Sequence, residues 1–159
     1  DPMTTSGATI LAIVLLGCSS AVIAAAGDPA GGAASTDPAI EAARASIAKK
    51  DWPGAQKVMQ EAVARDAKNA DYHNLYAYAT RKGANPDMNL VFKHYNEALR
   101  IDPKHLNAHE YIGEAYLLIN NLAKAKEHLA ALDKLCFFGC EQYDDLKKAV
   151  AAYEAKAKR

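Results

Sequence analysis

Apolar residues recur at helical spacing along most of this chain. Ile40, Ala43 and Ile47 form the first stripe, and further stripes with i, i+3 and i+4 spacing continue to Leu118. No stretch of the sequence alternates between apolar and polar residues in the way a half-buried strand does. The pattern therefore predicts that the chain beyond residue 36 is entirely helical.

Cap and turn residues divide this helical region into separate elements. Asp37 precedes Pro38, which combines a favourable N-cap with a first-turn proline. Asp87 and Asn121 are predicted to begin two further helices, because their side chains are good acceptors for first-turn amides. Pro103 marks a stop between helices. The region is thus predicted to be a series of helices joined by short turns.

The helices belong to a hairpin module that occurs three times. Its columns of residues are spaced 34 or 36 positions apart, by subtraction of the residue numbers. The extra two residues fall in the turn around residues 82–86. A helical repeat of this length predicts stacked hairpins that bury a continuous core, and a function in binding rather than catalysis. The columns are Ala62, Ala98 and Leu132; Ala43, Ala77 and Gly113; Ala55, Val91 and Ala125; and Met59, Tyr95 and Leu129.

These columns resemble the consensus of the tetratricopeptide repeat family, over about residues 36–139. The resemblance extends to Ala-Leu-Arg-Ile-Asp-Pro at residues 98–103 and to Asp-Trp-Pro-Gly-Ala at residues 51–55. It implies an all-α fold with three helix-turn-helix repeats, at about 36–69, 70–105 and 106–139, in a short right-handed solenoid. The first repeat is eroded, with Ala39 and Ser46 at its bulky and aromatic positions. Consensus residue types occur at Gly113, Tyr116, Ala125, Ala98, Tyr95 and Pro103.

A last helix is predicted over residues 141–158, which completes a helical domain spanning residues 37–159. Leu146, Val150 and Tyr153 lie on one face of this helix and Lys-rich polar residues on the other. The helix is therefore predicted to cap the end of the array. The Ala-rich first helix has no such cover, which makes a homodimer through that helix a hypothesis.

The resemblance also implies a binding groove, because the first helix of each tetratricopeptide hairpin lines the concave face of the array. A protein or peptide partner is expected there. The family's clamp for the C-terminal carboxylate of cytosolic chaperones uses Lys, Arg and Asn residues, and this chain carries Glu110 and Glu114 instead, which disfavours a chaperone-tail receptor. The groove residues implied are Arg44, Asn74, Tyr78, Arg81, Asn107, Glu110, Tyr111 and Glu114.

The first 36 residues have a different composition. Residues 8–26 carry no charge and are rich in Ala, Ile, Leu and Val, and Ala24, Ala25 and Ala26 precede Gly27 as in a signal-peptidase site. Residues 1–26 are predicted to be a cleaved export signal, an uncleaved membrane anchor, or a segment lipidated at Cys18, since residues 15–18 resemble a bacterial lipobox. Residues 1–2 are typical of a cloning remnant. Residues 27–36 are predicted to be a flexible linker, and the protein to be periplasmic or associated with the bacterial cell envelope.

The remaining cysteines, Cys136 and Cys140, are spaced as Cys-Phe-Phe-Gly-Cys. In an oxidising compartment this pair predicts a disulfide at the junction between the third repeat and the last helix, with Gly139 allowing the backbone to turn. Two alternatives stay open. The thiols are reduced and partly buried, or they form a redox-active or soft-metal site.

Charge and motif content exclude several function classes. The chain has 19 basic and 19 acidic residues with no basic helix face, so nucleic-acid binding lacks its main electrostatic contribution. No phosphate loop or nucleophile elbow is present, which predicts that the protein is not an enzyme and needs no cofactor. His105 and His109 have a spacing that can chelate a metal, but recurrence of histidines in the repeat columns favours a structural role.

These observations together predict an exported, non-catalytic protein-binding adaptor. A membrane contact is expected only through the N-terminal segment. The principal alternative is a redox or metal-handling accessory protein that uses Cys136 and Cys140.

Overall fold

A computed structural model of the protein describes residues 37–158, and all the regular structure in this range is helical. The predicted export signal or anchor at 1–26, the lipidation at Cys18 and the linker at 27–36 lie outside the described residues. The helices are α1 (Pro38–Ala48), α2 (Trp52–Arg65), α3 (Ala70–Lys82), α4 (Met88–Ile101), α5 (Leu106–Leu118), α6 (Leu122–Leu135) and α7 (Glu141–Ala157).

The predicted helix starts are confirmed by their capping hydrogen bonds. The Asp37 carboxylate accepts a hydrogen bond from the backbone N–H of Ala39 at 2.8 Å and caps α1. Asp87 and Asn121 cap α4 and α6 in the same way. Each cap satisfies amide groups that a first helical turn would otherwise leave unpaired.

The helices pack as three hairpins followed by one further helix. The first helix of each hairpin contacts the next, so that α1, α3, α5 and α7 form a continuous series. The second helices α2, α4 and α6 contact only members of that series, and not each other. Helices that touch on one side and spread apart on the other make an array with an inner, concave face. The predicted all-α repeat solenoid is therefore confirmed.

The turn lengths explain the unequal repeat spacing. Residues 49–51 join α1 to α2 and residues 119–121 join α5 to α6, whereas residues 83–87 join α3 to α4. The turn between α3 and α4 therefore has five residues and the other two have three. The difference of two residues lies in the turn where the sequence predicted it. Lys50 and Asn120, at the middle of the two short turns, have positive φ of 56° and 61°.

The last helix closes the array as predicted. Leu146 and Val150 of α7 are buried in a cluster with Ala125 and Leu132 of α6. A Cβ atom added at Gly113 would come within 2.6 Å of a Leu146 methyl carbon, so glycine at this point of α5 allows α7 to approach closely. Whether α1 packs on a second copy of the chain stays a prediction.

Candidate functional site

The inner face contains the groove residues that the sequence predicted, but most of them are buried. Arg44, Asn107 and Glu114 are partly exposed. Their role in binding a partner stays a prediction. The five buried residues are Asn74, Tyr78, Arg81, Glu110 and Tyr111.

Arg81 joins three helices at the centre of this face. Its Nη2 donates to Glu114 Oε2 of α5 at 2.7 Å, and its Nε donates to the Tyr95 hydroxyl of α4 at 3.2 Å. The guanidinium also lies over the rings of Tyr78 and Tyr111, at 5.6 and 5.8 Å from their centroids. Burial raises the pKa of Tyr95 to about 12, so its hydroxyl stays neutral and accepts this hydrogen bond. Arg81 therefore links the second repeat to the third.

Glu110 is a buried carboxyl group beside other acidic groups. Its residue surface is only 8% exposed. Burial is the main reason that the pKa of Glu110 is raised to about 8, and the negative charges of Glu114 and Asp145 contribute in the same direction. At neutral pH this side chain is therefore mostly protonated. Asp145 is not among the groove residues implied by the sequence, because only the packing of α7 on α5 brings it to this face.

Two buried side-chain polar atoms among the described residues have no hydrogen-bond partner. They are Asn74 Oδ1 on α3 and Arg44 Nε on α1. Asn74 is 2% exposed and lies 36 positions before Glu110, by subtraction, at the equivalent point of the preceding repeat. A buried acceptor without a partner costs about 1–3 kcal/mol.

The first turns of the inner helices are linked in series along one edge of the array. Tyr72 donates to Asp37 at 2.5 Å, and this hydrogen bond holds the pKa of Asp37 below its usual value. His105 of α5 bonds Asp71 of α3 at 2.8 Å, and this bond likewise lowers the pKa of Asp71. The series continues from α5 to α7, where Gln142 donates to Asn107 at 2.8 Å. We call this the first-turn edge.

Histidine pairs recur between the two helices of a hairpin. His73 and His94 meet through their Nδ1 atoms at 2.8 Å, and His109 and His128 meet in the same way at 3.0 Å. In each pair the Nε2 of the first histidine donates to a carbonyl of the preceding turn, so its Nδ1 accepts from the second ring. The repeat geometry thus accounts for these histidines. Among residues 37–158, no three His, Cys, Asp or Glu side chains cluster closely enough to hold a metal ion.

The histidine pairs predict a pH-dependent stability. The pKa of His94 and of His128 is lowered to about 4, from an ordinary value of 6.5. Burial is the main cause, and the charge of the partner histidine contributes in the same direction. The unfolded chain binds more protons between these values, so stability contributed by the neutral pairs is present above pH 6.5 and is lost as the pH falls toward 4. Replacing both residues with glutamine, which keeps an N–H donor but does not titrate, should remove this loss.

The measurement is urea unfolding of both proteins at pH 4.5 and pH 7. On going from pH 7 to pH 4.5, we expect the free energy of unfolding of the wild type to fall by roughly 2–4 kcal/mol more than that of the His94→Gln, His128→Gln variant. Glu110 contributes in the opposite direction, because its raised pKa makes stability fall as the pH rises from about 4.5 to 8, and it does so equally in both proteins. Parallel pH profiles for the two proteins would contradict the prediction.

The predicted disulfide is present between Cys136 and Cys140, whose Cα atoms are 5.5 Å apart. Cys136 ends α6 and Cys140 caps α7 by accepting from the N–H of Tyr143 at 3.4 Å. Gly139, with φ of 87°, provides the left-handed residue that the turn requires. The bridge therefore joins the third hairpin to the capping helix. No helix within residues 37–158 combines the length and apolarity needed to cross a membrane.

Comparison with known proteins identifies the architecture. No protein-family model and no curated protein matches the chain. Among solved structures, the TPR2B domain of yeast Sti1 in its pHsp70 complex is 20% identical with a TM-score of 0.66, covering 74% of this chain and 94% of that one.

Two further structures show the same likeness. The TPR domain of Arabidopsis OM64 is 19% identical with a TM-score of 0.63, covering 72% of this chain and 93% of that one. The type III secretion translocator chaperone SycD of Yersinia enterocolitica is 17% identical with a TM-score of 0.64, covering 82% and 99%. At these identities the likeness establishes the fold, and the resemblance seen in the repeat columns is confirmed: this chain has the tetratricopeptide repeat fold.

Proposed function

We propose that this protein is a non-catalytic adaptor of the bacterial cell envelope that binds a segment of a partner protein on its inner face. Two of its structural neighbours support a binding role, one being a domain solved as a pHsp70 complex and the other a translocator chaperone. The sequence of residues 1–26 supports export. The mass of the product from a bacterial host tests this part, because an exported protein that retains Met3 would exclude cleavage after Ala26.

The chemistry of the inner face defines the partner segment. The single observation that carries the proposal is the cluster of three carboxyl groups, Glu110, Glu114 and Asp145, in which burial and the two neighbouring negative charges raise the pKa of Glu110. Arg81 is already paired with Glu114, and the exposed Lys148 is paired with Asp145. A ligand that supplies donors and positive charge would complement this surface, so we infer that the segment carries a lysine or arginine side chain.

Binding of a cation should be coupled to proton release from Glu110. Because the pKa of this carboxyl is raised to about 8, it is mostly neutral at pH 7 in the free protein. A bound ammonium or guanidinium group favours the ionised carboxylate and displaces the proton. Affinity should therefore increase as the pH rises from 6.5 to 8.5, which is the opposite of a site that requires a protonated histidine.

The experiment is a titration of the full chain with two labelled decapeptides, one alternating lysine and alanine and the other alternating glutamate and alanine. We expect the lysine peptide to bind at least tenfold more tightly. The variant Glu110→Gln, Asp145→Asn should lower its affinity about tenfold, equivalent to ~1.4 kcal/mol. These substitutions keep the side-chain shape, and removing a buried ionisable group at Glu110 should not destabilise the fold.

A matched control distinguishes the inner face from overall charge. The variant Glu61→Gln, Asp133→Asn makes the same two carboxyl-to-amide substitutions at exposed positions on the outer helices α2 and α6. It should bind the lysine peptide as the wild type does. Equal affinity for both peptides, or an equal loss in the two variants, would refute the proposed site.

A further inference from the structure

The turn between α6 and α7 differs from the two turns that occupy the same place in the array. In residues 66–69 and 102–105 the first aspartate side chain accepts from the backbone N–H of Lys68 and Lys104, at 3.0 Å in each case. Residues 136–140 replace the aspartate with Cys136 and its disulfide. Phe137 and Phe138 stand where the other turns have Ala67-Lys68 and Pro103-Lys104. The fold therefore forms this type of turn without aromatic residues.

Both phenylalanine rings point away from the protein. Phe137 is 85% exposed and Phe138 is 98% exposed, and the rings contact each other with centroids 5.0 Å apart. The disulfide closes the turn that carries them, which reduces the entropy lost when the rings bind a surface. Two adjacent exposed aromatic side chains on a closed loop are unfavourable in water unless they enter an apolar environment.

The position of this turn indicates what that environment is. The turn immediately precedes α7, so it lies on the first-turn edge, which also contains Asp37 at the start of α1. Residues 27–36 connect Asp37 to the uncharged apolar stretch at residues 8–26. Ten residues reach at most about 35 Å when extended and about 17 Å as a flexible chain. A bilayer that holds residues 8–26 is therefore within reach of this edge.

We propose that Phe137 and Phe138 insert into the interface of the bilayer that holds residues 8–26, so that the first-turn edge faces the membrane. A retained N-terminal segment attaches the chain to the bilayer through a ten-residue linker, and a second contact at this turn would fix the orientation of the helical domain. The flanking exposed charges Lys68, Lys104 and Lys134 are balanced by Asp66, Asp102 and Asp133, so the contact is apolar rather than electrostatic. The inference rests on retention of the N-terminal segment and is independent of the cationic site on the inner face.

The test places a tryptophan at the turn in the full chain reconstituted into phosphatidylcholine vesicles. Trp52→Phe removes the native fluorophore, and Phe138→Trp then reports on the turn. Lys104→Trp is the matched control, because it occupies the equivalent position of the preceding turn on the same edge. With lipids brominated near the upper acyl chain, we expect at least twofold quenching of the tryptophan at 138, little quenching at 104, and no change in 0.5 M salt.

Two results would overturn the proposal. Absence of quenching at position 138 would show that the rings do not reach lipid. Equal quenching at 104 and 138 would mean that the whole edge approaches the bilayer without a specific contact. Binding of the lysine decapeptide to the same vesicles tests the inner face separately, so failure of one proposal is distinguishable from failure of the other.

Discussion

Replacing Leu146 with alanine is expected to lower the free energy of unfolding by about 2–5 kcal/mol. Leu146 is fully buried and anchors α7 to α6 and to Gly113 of α5. Truncation leaves a cavity at the end of the array, and the neighbouring helices cannot all move to fill it. In a repeat array each unit is stabilised mainly by its neighbours, so a loosened cap also exposes the faces of α5 and α6.

Urea unfolding followed by circular dichroism measures this loss. The control is Leu118→Ala, which removes the same atoms from a side chain that is 59% exposed and should change stability by less than about 0.5 kcal/mol. Similar unfolding midpoints for the two variants would contradict the role of α7 as a cap that stabilises the third repeat.

Replacing Arg81 with methionine is expected to lower the free energy of unfolding by about 3–5 kcal/mol, because it breaks a buried ion pair by removing one partner. Glu114 would lose its cation, and the buried Tyr95 hydroxyl would lose its donor. The packing of the side chain against the Tyr78 and Tyr111 rings is largely retained by methionine, so the loss reports on the polar contacts.

A second arginine provides the control. Arg100 forms a pair with Glu97 at 2.6 Å on the surface of α4, and exposed pairs contribute only about 0–1 kcal/mol. Arg100→Met should therefore change stability little. A coupling energy near zero between Arg81→Met and Glu114→Gln in a double-mutant cycle would show that the pair does not link the second and third repeats.

The burial of these residues also determines how the inner face must be tested. Tyr78, Arg81 and Tyr111 are buried, so alanine at these positions would be expected to unfold the array before it reported on binding. Glu110 and Asp145 offer charge changes that preserve shape. The inner face is thus partly a core between repeats and partly a surface for a ligand.

The repeated columns of the sequence were sufficient to predict the helices, their hairpin pairing and the capping helix. Helical spacing places residues on a face, and Asp37, Asp87 and Asn121 mark helix starts through local hydrogen bonds, so these features depend only on neighbouring residues. The two-residue surplus near residues 82–86 was likewise visible as a difference in spacing. Such local information predicts which face of each helix points inward.

Only the tertiary structure decided how closely neighbouring inner helices approach, and therefore which inward residues remain accessible. Gly113 lets α7 approach α5, which brings Asp145 to Glu110 from 35 residues away, by subtraction. Burial of Glu110, with the added charges of Glu114 and Asp145, raises the pKa of that carboxyl. The same packing buries Arg81 between two repeats and leaves Phe137 and Phe138 exposed. Burial depends on the separation and orientation of helices that are distant in sequence, and helical periodicity carries no information about either.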